Sequence, residues 1–343
     1  MLSSVFNILS PYFQTQDPEE AHLLTLKMLK YYGMVPTFTR NSNTIQLMGL
    51  DFPNRLGVAA GFDKNAEAID GLFRLGFGFV EIGTVTPLPQ KGNEKPRLFR
   101  LKEDQAVINR MGFNNDGAEM ISKRLKKRRY NGQDGIVGVN IGANKDSDDR
   151  VRDYALCASA FTDVASYFTV NVSSPNTEGL RDLQAAEYLL PLLQGVLNVV
   201  ETSGQAIPVL LKIAPDLMQE DIEEIADIVN NMPVAGIIAT NTTLSRPDML
   251  QSKDKGERGG LSGAPLLDIS NNVTSVLRSL LLPEKIIIGA GGIKSADTAR
   301  QKLDIGADLL QIYSCLVYQG PQLINEILKM LEALASAEKS AYI

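Results

Sequence analysis

Eight short apolar runs recur along the chain, at 56–60, 79–84, 136–141, 167–172, 209–213, 236–240, 286–289 and 309–313. Each is nearly continuous, whereas a strand with one wet face would alternate apolar and polar residues. Stretches of helical period separate them, at 66–75, 118–129, 185–201, 220–231, 297–303 and 321–334. Strands buried on both faces with helices between them predict a parallel sheet. Eight of them favour an α/β fold of the (β/α)8 TIM-barrel type. A doubly wound open sheet is the alternative.

A chain of 343 residues, 44% of them apolar, is long enough for one such domain and a small appendage. Its net charge of −6 argues against a nucleic-acid binder. Cys157 and Cys315 lie far apart without metal-like spacing, which suits a reducing compartment. One histidine, His22, excludes multi-histidine metal sites, so no metal is expected. No apolar run is long enough to span a membrane. The apolar start carries no Lys or Arg before Lys27, so it reads as neither a secretory signal nor a transit peptide.

Residues 1–40 read as a helical unit of their own, ahead of a barrel domain at 41–343. Leu2, Val5, Phe6, Leu9, Tyr12 and Phe13 fall on one helical stripe. Asp17-Pro18-Glu19-Glu20 then opens a second helix with an N-cap, an early proline and acids in the first turn. Leu23, Leu24, Leu26, Met28 and Leu29 do not share one stripe, so such a hairpin cannot bury them all on one surface. Two readings stay open: a helical cap packed on the barrel, or an apolar module that rests on lipid or admits a lipid-like substrate.

In a barrel, the carboxyl ends of the strands converge on one mouth. Here they carry Ala60, Gly61 and Lys64; Thr84; Asn140; Asn171 with Ser173, Ser174, Asn176 and Thr177; Lys212; Thr240, Asn241 and Thr242; Gly291 and Gly292; Tyr313 and Ser314. Asn140, Asn171 and Lys212 interrupt or end apolar runs, where a polar group is costly unless hydrogen-bonded. Amides, hydroxyls and lysines without a carboxylate cluster suit a flat, polar heterocycle. The run Gly289-Ala290-Gly291-Gly292 precedes a helix, and Gly263 follows Leu261-Ser262. Loops after strands seven and eight commonly hold phosphate. The spacing is not the dinucleotide fingerprint, so a mononucleotide such as FMN fits better than NAD. Two long connections, 86–115 and 242–265, should lie over this mouth.

Gly61-Phe62-Asp63-Lys64-Asn65, Glu81-Ile82-Gly83-Thr84-Val85-Thr86-Pro87, Lys95-Pro96-Arg97-Leu98-Phe99-Arg100 and Asn109-Arg110-Met111-Gly112-Phe113-Asn114-Asn115 resemble dihydroorotate dehydrogenase. So do residues 171–177, Lys212-Ile213-Ala214-Pro215-Asp216, residues 239–243, Gly260-Leu261-Ser262-Gly263 and Gln311-Ile312-Tyr313-Ser314, with ordinary variation at Phe62 and Asn65. The resemblance runs from about residue 17 to the end of the barrel. It implies oxidation of dihydroorotate to orotate, in pyrimidine (UMP) biosynthesis, with one non-covalent FMN. Ser174 matches the catalytic base, a serine in the quinone-linked, membrane-associated class and a cysteine in the soluble class. A serine is a poor base without a relay, and with no second histidine in the chain that relay is either Thr177 or a bound water. Lys64, Asn109, Arg110, Met111, Gly112, Phe113, Asn171, Asn176, Asn241 and Thr242 would hold the substrate. Ala60, Gly61, Lys64, Thr84, Asn140, Asn171, Lys212, Thr240, Gly263, Gly292, Tyr313 and Ser314 would hold the flavin. His22 and Arg100 match positions near a quinone tunnel, though His22 alone would read as an ordinary helix-surface histidine.

The implied protein is a monomer on the cytoplasmic face of the bacterial cell membrane. It is peripheral and touches the membrane surface through the N-terminal helices. The basic run at 123–129 is either a lipid contact or a solvated helix face. The rival reading is a soluble flavin oxidoreductase of the same barrel type that uses fumarate or NAD.

Overall fold

The computed structural model describes residues 12–34, 44–177 and 179–341. Eight parallel strands close into a barrel, which settles the choice between barrel and open sheet. They are β3 (Leu56–Val58), β4 (Phe79–Val85), β7 (Ile136–Ile141), β8 (Tyr167–Asn171), β9 (Val209–Ile213), β10 (Gly236–Ala239), β12 (Ile286–Ala290) and β13 (Leu309–Ile312). Every one sits within two residues of a predicted run. A hairpin of β1 (Ile45–Leu47) and β2 (Leu50–Phe52) precedes the barrel.

The helices are α1 (Pro18–Gly33), α2 (Ile69–Leu75), α3 (Ala118–Tyr130), α4 (Arg150–Phe161), α5 (Ala186–Ser203), α6 (Gln219–Asn231), α7 (Leu267–Leu280), α8 (Ala296–Asp304), α9 (Leu316–Gln319) and α10 (Pro321–Ala341). Helices α4 and α7 were not among the expected elements. Both are amphipathic, but α7 is rich in Ser, Asn and Thr, which intrinsic propensity places elsewhere. The two long connections also contain strands. β5 (Leu98–Leu101) and β6 (Ala106–Asn109) come from the first and β11 (Gly260–Gly263) from the second, and they pair as one antiparallel sheet.

Side-chain alternation layers the barrel interior. Phe79, Tyr167, Leu210, Ile238 and Leu309 pack with Phe52 in one apolar cluster, where the Phe52 and Phe79 rings meet edge to face at 5.3 Å. Two residues further along the same strands stand Glu81, Thr169, Lys212, Thr240 and Gln311, all buried. The period of two therefore places an apolar floor beneath a polar layer.

The described part of the N-terminal unit is residues 12–34; of the expected stripe, Leu2, Val5, Phe6 and Leu9 lie outside the described residues. Asp17 caps α1 by accepting from the amides of Glu19 and Glu20. Leu26 and Leu29 are buried, whereas Leu23, Leu24, Met28 and Tyr31 are 41–59% exposed. The helix is therefore both packed on the barrel and left with an apolar outer face. Glu19 fastens it: its carboxylate takes hydrogen bonds from Arg97 at 2.7 and 3.0 Å and lies 3.5 Å from Lys95. Burial alone would raise the Glu19 pKa, but Arg97 and Lys95 outweigh it and hold the carboxyl below its usual range. Against α2 the backbones touch, since a Cβ on Gly71 would lie 2.1 Å from the Leu29 carbonyl oxygen.

In the basic run, Lys123 pairs with Glu119, Arg124 with Asp116, Lys126 with Asp163 and Arg128 with Asp70.

Gly71→Ala is expected to cost about 1–3 kcal/mol through overpacking against α1. Gly256→Ala, with open space around the new methyl, should stay within about 0.5 kcal/mol. Urea denaturation of the two variants measures the difference.

Candidate active site

Glu81 is the buried centre of the polar layer. Its Oε1 accepts from Asn140 Nδ2 at 2.9 Å, and its Oε2 accepts from Gln311 Nε2 at 2.8 Å, Tyr167 Oη at 3.1 Å and Thr169 Oγ1 at 3.1 Å. Four side chains from three other strands thus solvate one carboxylate. Lys212 supplies the compensating charge. Burial lowers the Lys212 pKa, and the charge of Glu81 acts in the opposite sense. In the sequence Glu81 is marked only as a lone acid between Val80 and Ile82 inside an apolar run, where a charge needs partners.

Above it the network continues outward. Thr84 donates to Asn140 Oδ1 at 2.6 Å and accepts from Asn171 Nδ2 at 2.8 Å. Asn241 Nδ2 donates to Ser173 Oγ at 3.0 Å and to Asn171 Oδ1 at 3.3 Å. Asn176 Nδ2 reaches Asn109 Oδ1 at 3.2 Å, and the Asn176 amide donates to Ser174 Oγ at 3.3 Å. The amides at the strand ends are therefore oriented by one another before any ligand arrives.

A cavity of about 480 Å³ opens over this layer, within the range of small-molecule sites. It runs from the strand ends to α1. Among the predicted residues, Lys64, Asn109, Asn171, Ser174, Asn176, Asn241 and Thr242 line it. So do Met111, Gly112, Phe113, Ala60, Gly61, Thr84, Lys212, Thr240, Gly263, Gly292, Tyr313 and Ser314, together with His22 and Arg100. Three predicted residues do not. Asn140 lies beneath, under Thr84. Thr177 is buried beside the turn. Arg110 turns away: its guanidinium pairs with Glu257 at 2.7 Å and covers the Phe99 ring at 4.6 Å.

The cavity is electrostatically one-sided. Lys64 and Lys212 line it and no carboxylate does among the described residues. Burial, and then the charge of Arg97, bring the Lys64 pKa down to about 8. Thr242 Oγ1 and Gln311 Oε1 are buried polar atoms of the lining without a hydrogen-bond partner. Two lysines, unpartnered polar atoms and oriented amides fit an anionic, hydrogen-bonding ring system. The glycines have structural reasons too: with φ at +102° and +78°, Cβ atoms on Gly263 and Gly292 would meet backbone at 2.4 and 2.2 Å.

The other end of the cavity is aromatic. His22 packs edge to face on Phe62 at 5.2 Å, and Phe62 meets Tyr313 at 5.4 Å. Burial and then the nearby Lys64 charge lower the His22 pKa to about 4, so its imidazole is neutral at pH 7. Arg100 donates to the carbonyl oxygens of Phe13, at 2.7 Å, and of Gln16, which ties β5 to the segment before α1.

The family model for dihydroorotate dehydrogenase matches residues 42–334. A protein of Rhizobium etli named dihydroorotate dehydrogenase (quinone) is 52% identical over 95% of the chain and 91% of its own length. One of the same name from Agrobacterium fabrum is 52% identical over 94% of the chain and 90% of its own length. The crystal structure of an Eimeria tenella DHODH in complex with ferulenol superposes with a TM-score of 0.88 at 35% identity, covering 94% of this chain and 92% of that one.

Glu81→Gln is expected to destabilise the fold by about 3–5 kcal/mol, because it leaves Lys212 as an uncompensated buried charge. An unchanged urea midpoint would contradict this account of the polar layer.

Proposed function

The chain belongs to the dihydroorotate dehydrogenase family, and we propose that the cavity between barrel mouth and α1 is where it oxidises dihydroorotate to orotate, in pyrimidine biosynthesis, and passes the electrons to a quinone. The observation that carries this reading is the continuity of the cavity. One end is lined by two lysines and oriented amides, and the other by α1, His22 and Phe62. The quinone-class name of the relatives agrees with it.

The flavin is FMN, one per chain and non-covalent. When bound, it supplies a hydride acceptor. Lys212, Thr84, Thr240 and the loop at Gly291 and Gly292 would hold it, with Asn140 supporting Thr84 from below. Asn109, Asn176, Asn241 and Thr242 present amides and a hydroxyl to the substrate ring, and Lys64 offers a cation to its carboxylate. A site built from fixed hydrogen-bond partners rejects analogues that would leave those partners unpaired.

Ser174 takes the proton from the substrate carbon. A serine hydroxyl is a weak base and needs help from its surroundings. The Asn176 amide donates to its oxygen, which favours the deprotonated form. The proton leaves by way of Thr177, buried on the same turn. Arg110 acts at a distance: through Glu257 it holds the loop carrying β11 over the substrate end.

The quinone enters between α1 and the barrel, past the neutral His22 and Arg100. The exposed Leu23, Leu24, Met28 and Tyr31 rest on the membrane surface, on its cytoplasmic face in a bacterial cell. No helix among the described residues is long and apolar enough to cross a membrane, so contact is peripheral. The chain works as a monomer.

Ser174→Ala should bind FMN normally and slow its reduction by dihydroorotate by about 10²–10⁴-fold, the usual contribution of a positioned base. Single-turnover stopped-flow absorbance measures it. Reduction at the normal rate would remove Ser174 from the role of base.

A further inference from the structure

Lys302 is a fully buried lysine that no part of the proposed chemistry uses. It lies on α8, behind the end of β12. Its stem fills the slot left by Gly289, where a Cβ would sit 2.6 Å from both its Cγ and its Cδ. Its ammonium donates to Ser270 Oγ on α7, and Ser270 donates in turn to the Ala290 carbonyl oxygen at 2.7 Å. That carbonyl belongs to the peptide whose N–H is that of Gly291, and Gly291 lines the cavity. The chain from ammonium to loop is therefore continuous: Lys302, Ser270, then the peptide between residues 290 and 291.

We propose that Lys302 is a positioning residue for the cofactor phosphate, acting through Ser270 and the Ala290–Gly291 peptide. This rests on the reading that an FMN phosphate sits at the Gly291 and Gly292 loop. A buried cation without a compensating anion is costly. Among the described residues no acid pairs with Lys302, and burial lowers its pKa to about 7. A phosphate on the far side of the peptide supplies the missing anion. In return, the cation polarises a chain of hydrogen bonds that ends at a loop N–H, and such chains strengthen their members cooperatively. Ser270 also lies 3.1 Å from the position of a Cβ on Gly291, so the relay sits directly under the loop.

The test uses the full chain stripped of flavin and titrated with FMN and with riboflavin, which share the ring system and differ in the phosphate. Lys302→Met keeps the apolar stem in its slot and removes the charge. It should weaken FMN binding about tenfold, a plausible scale for one charge acting across a partly buried site, and leave riboflavin binding unchanged. Ser270→Ala, which keeps the lysine and cuts the relay, should show a smaller loss of the same kind. If both variants keep the wild-type ratio of FMN to riboflavin affinity, Lys302 has no role toward the phosphate and only fills space. If the wild-type chain itself binds the two flavins equally, the phosphate reading of the glycine loop fails, and this proposal with it.

Discussion

The site depends on a carboxylate fully buried inside a barrel. Glu81 would be untenable in an apolar interior, and four neutral donors together with the charge of Lys212 make it stable. Those donors come from β7, β8 and β13, so one residue orients side chains on three of the other seven barrel strands. Asn140 is fixed by Glu81, Thr84 by Asn140 and Asn171 by Thr84. The amides that face the cavity are thus preorganised from below, and little has to be ordered when a ligand binds.

A second constraint joins this polar centre to the apolar helix. Glu19 and Arg97 form a two-point ion pair across the two units, and Gly71 lets α1 and α2 touch backbone to backbone. Helix α1 is held at the barrel mouth rather than left as a mobile arm. Its inner residues become walls of the cavity, with the half-exposed Met28 at the edge, while its outer Leu23 and Leu24 remain bare. The same helix thus presents one side to the cavity and an apolar face to the outside.

The barrel strands were legible because burial on both faces leaves nearly continuous apolar runs, and the strand ends stood out because Asn140, Asn171 and Lys212 interrupt or end them. Other features leave weaker marks. β5 and β11 are four residues each with mixed exposure, so neither shows a periodic pattern, and the pairing of β11 with β6 joins two loops far apart in sequence. The direction of the Arg110 side chain is set by Glu257, 147 residues away, which no local spacing encodes. Glu81 and Lys302 read locally as a polar interruption and an ordinary helix lysine. Only the closed barrel shows that both are buried. The tight crossing at Gly71 is likewise a property of two helices meeting, not of either one.

In the proposed site one cavity serves both a polar oxidation and an apolar electron acceptor. Steady-state oxidation of dihydroorotate with a quinone, fumarate or NAD as acceptor tests it most directly. The account predicts sustained turnover with the quinone and only background rates with fumarate and NAD. Turnover with fumarate or NAD that equals or exceeds the quinone rate would contradict it, and would make α1 a cap on a soluble enzyme.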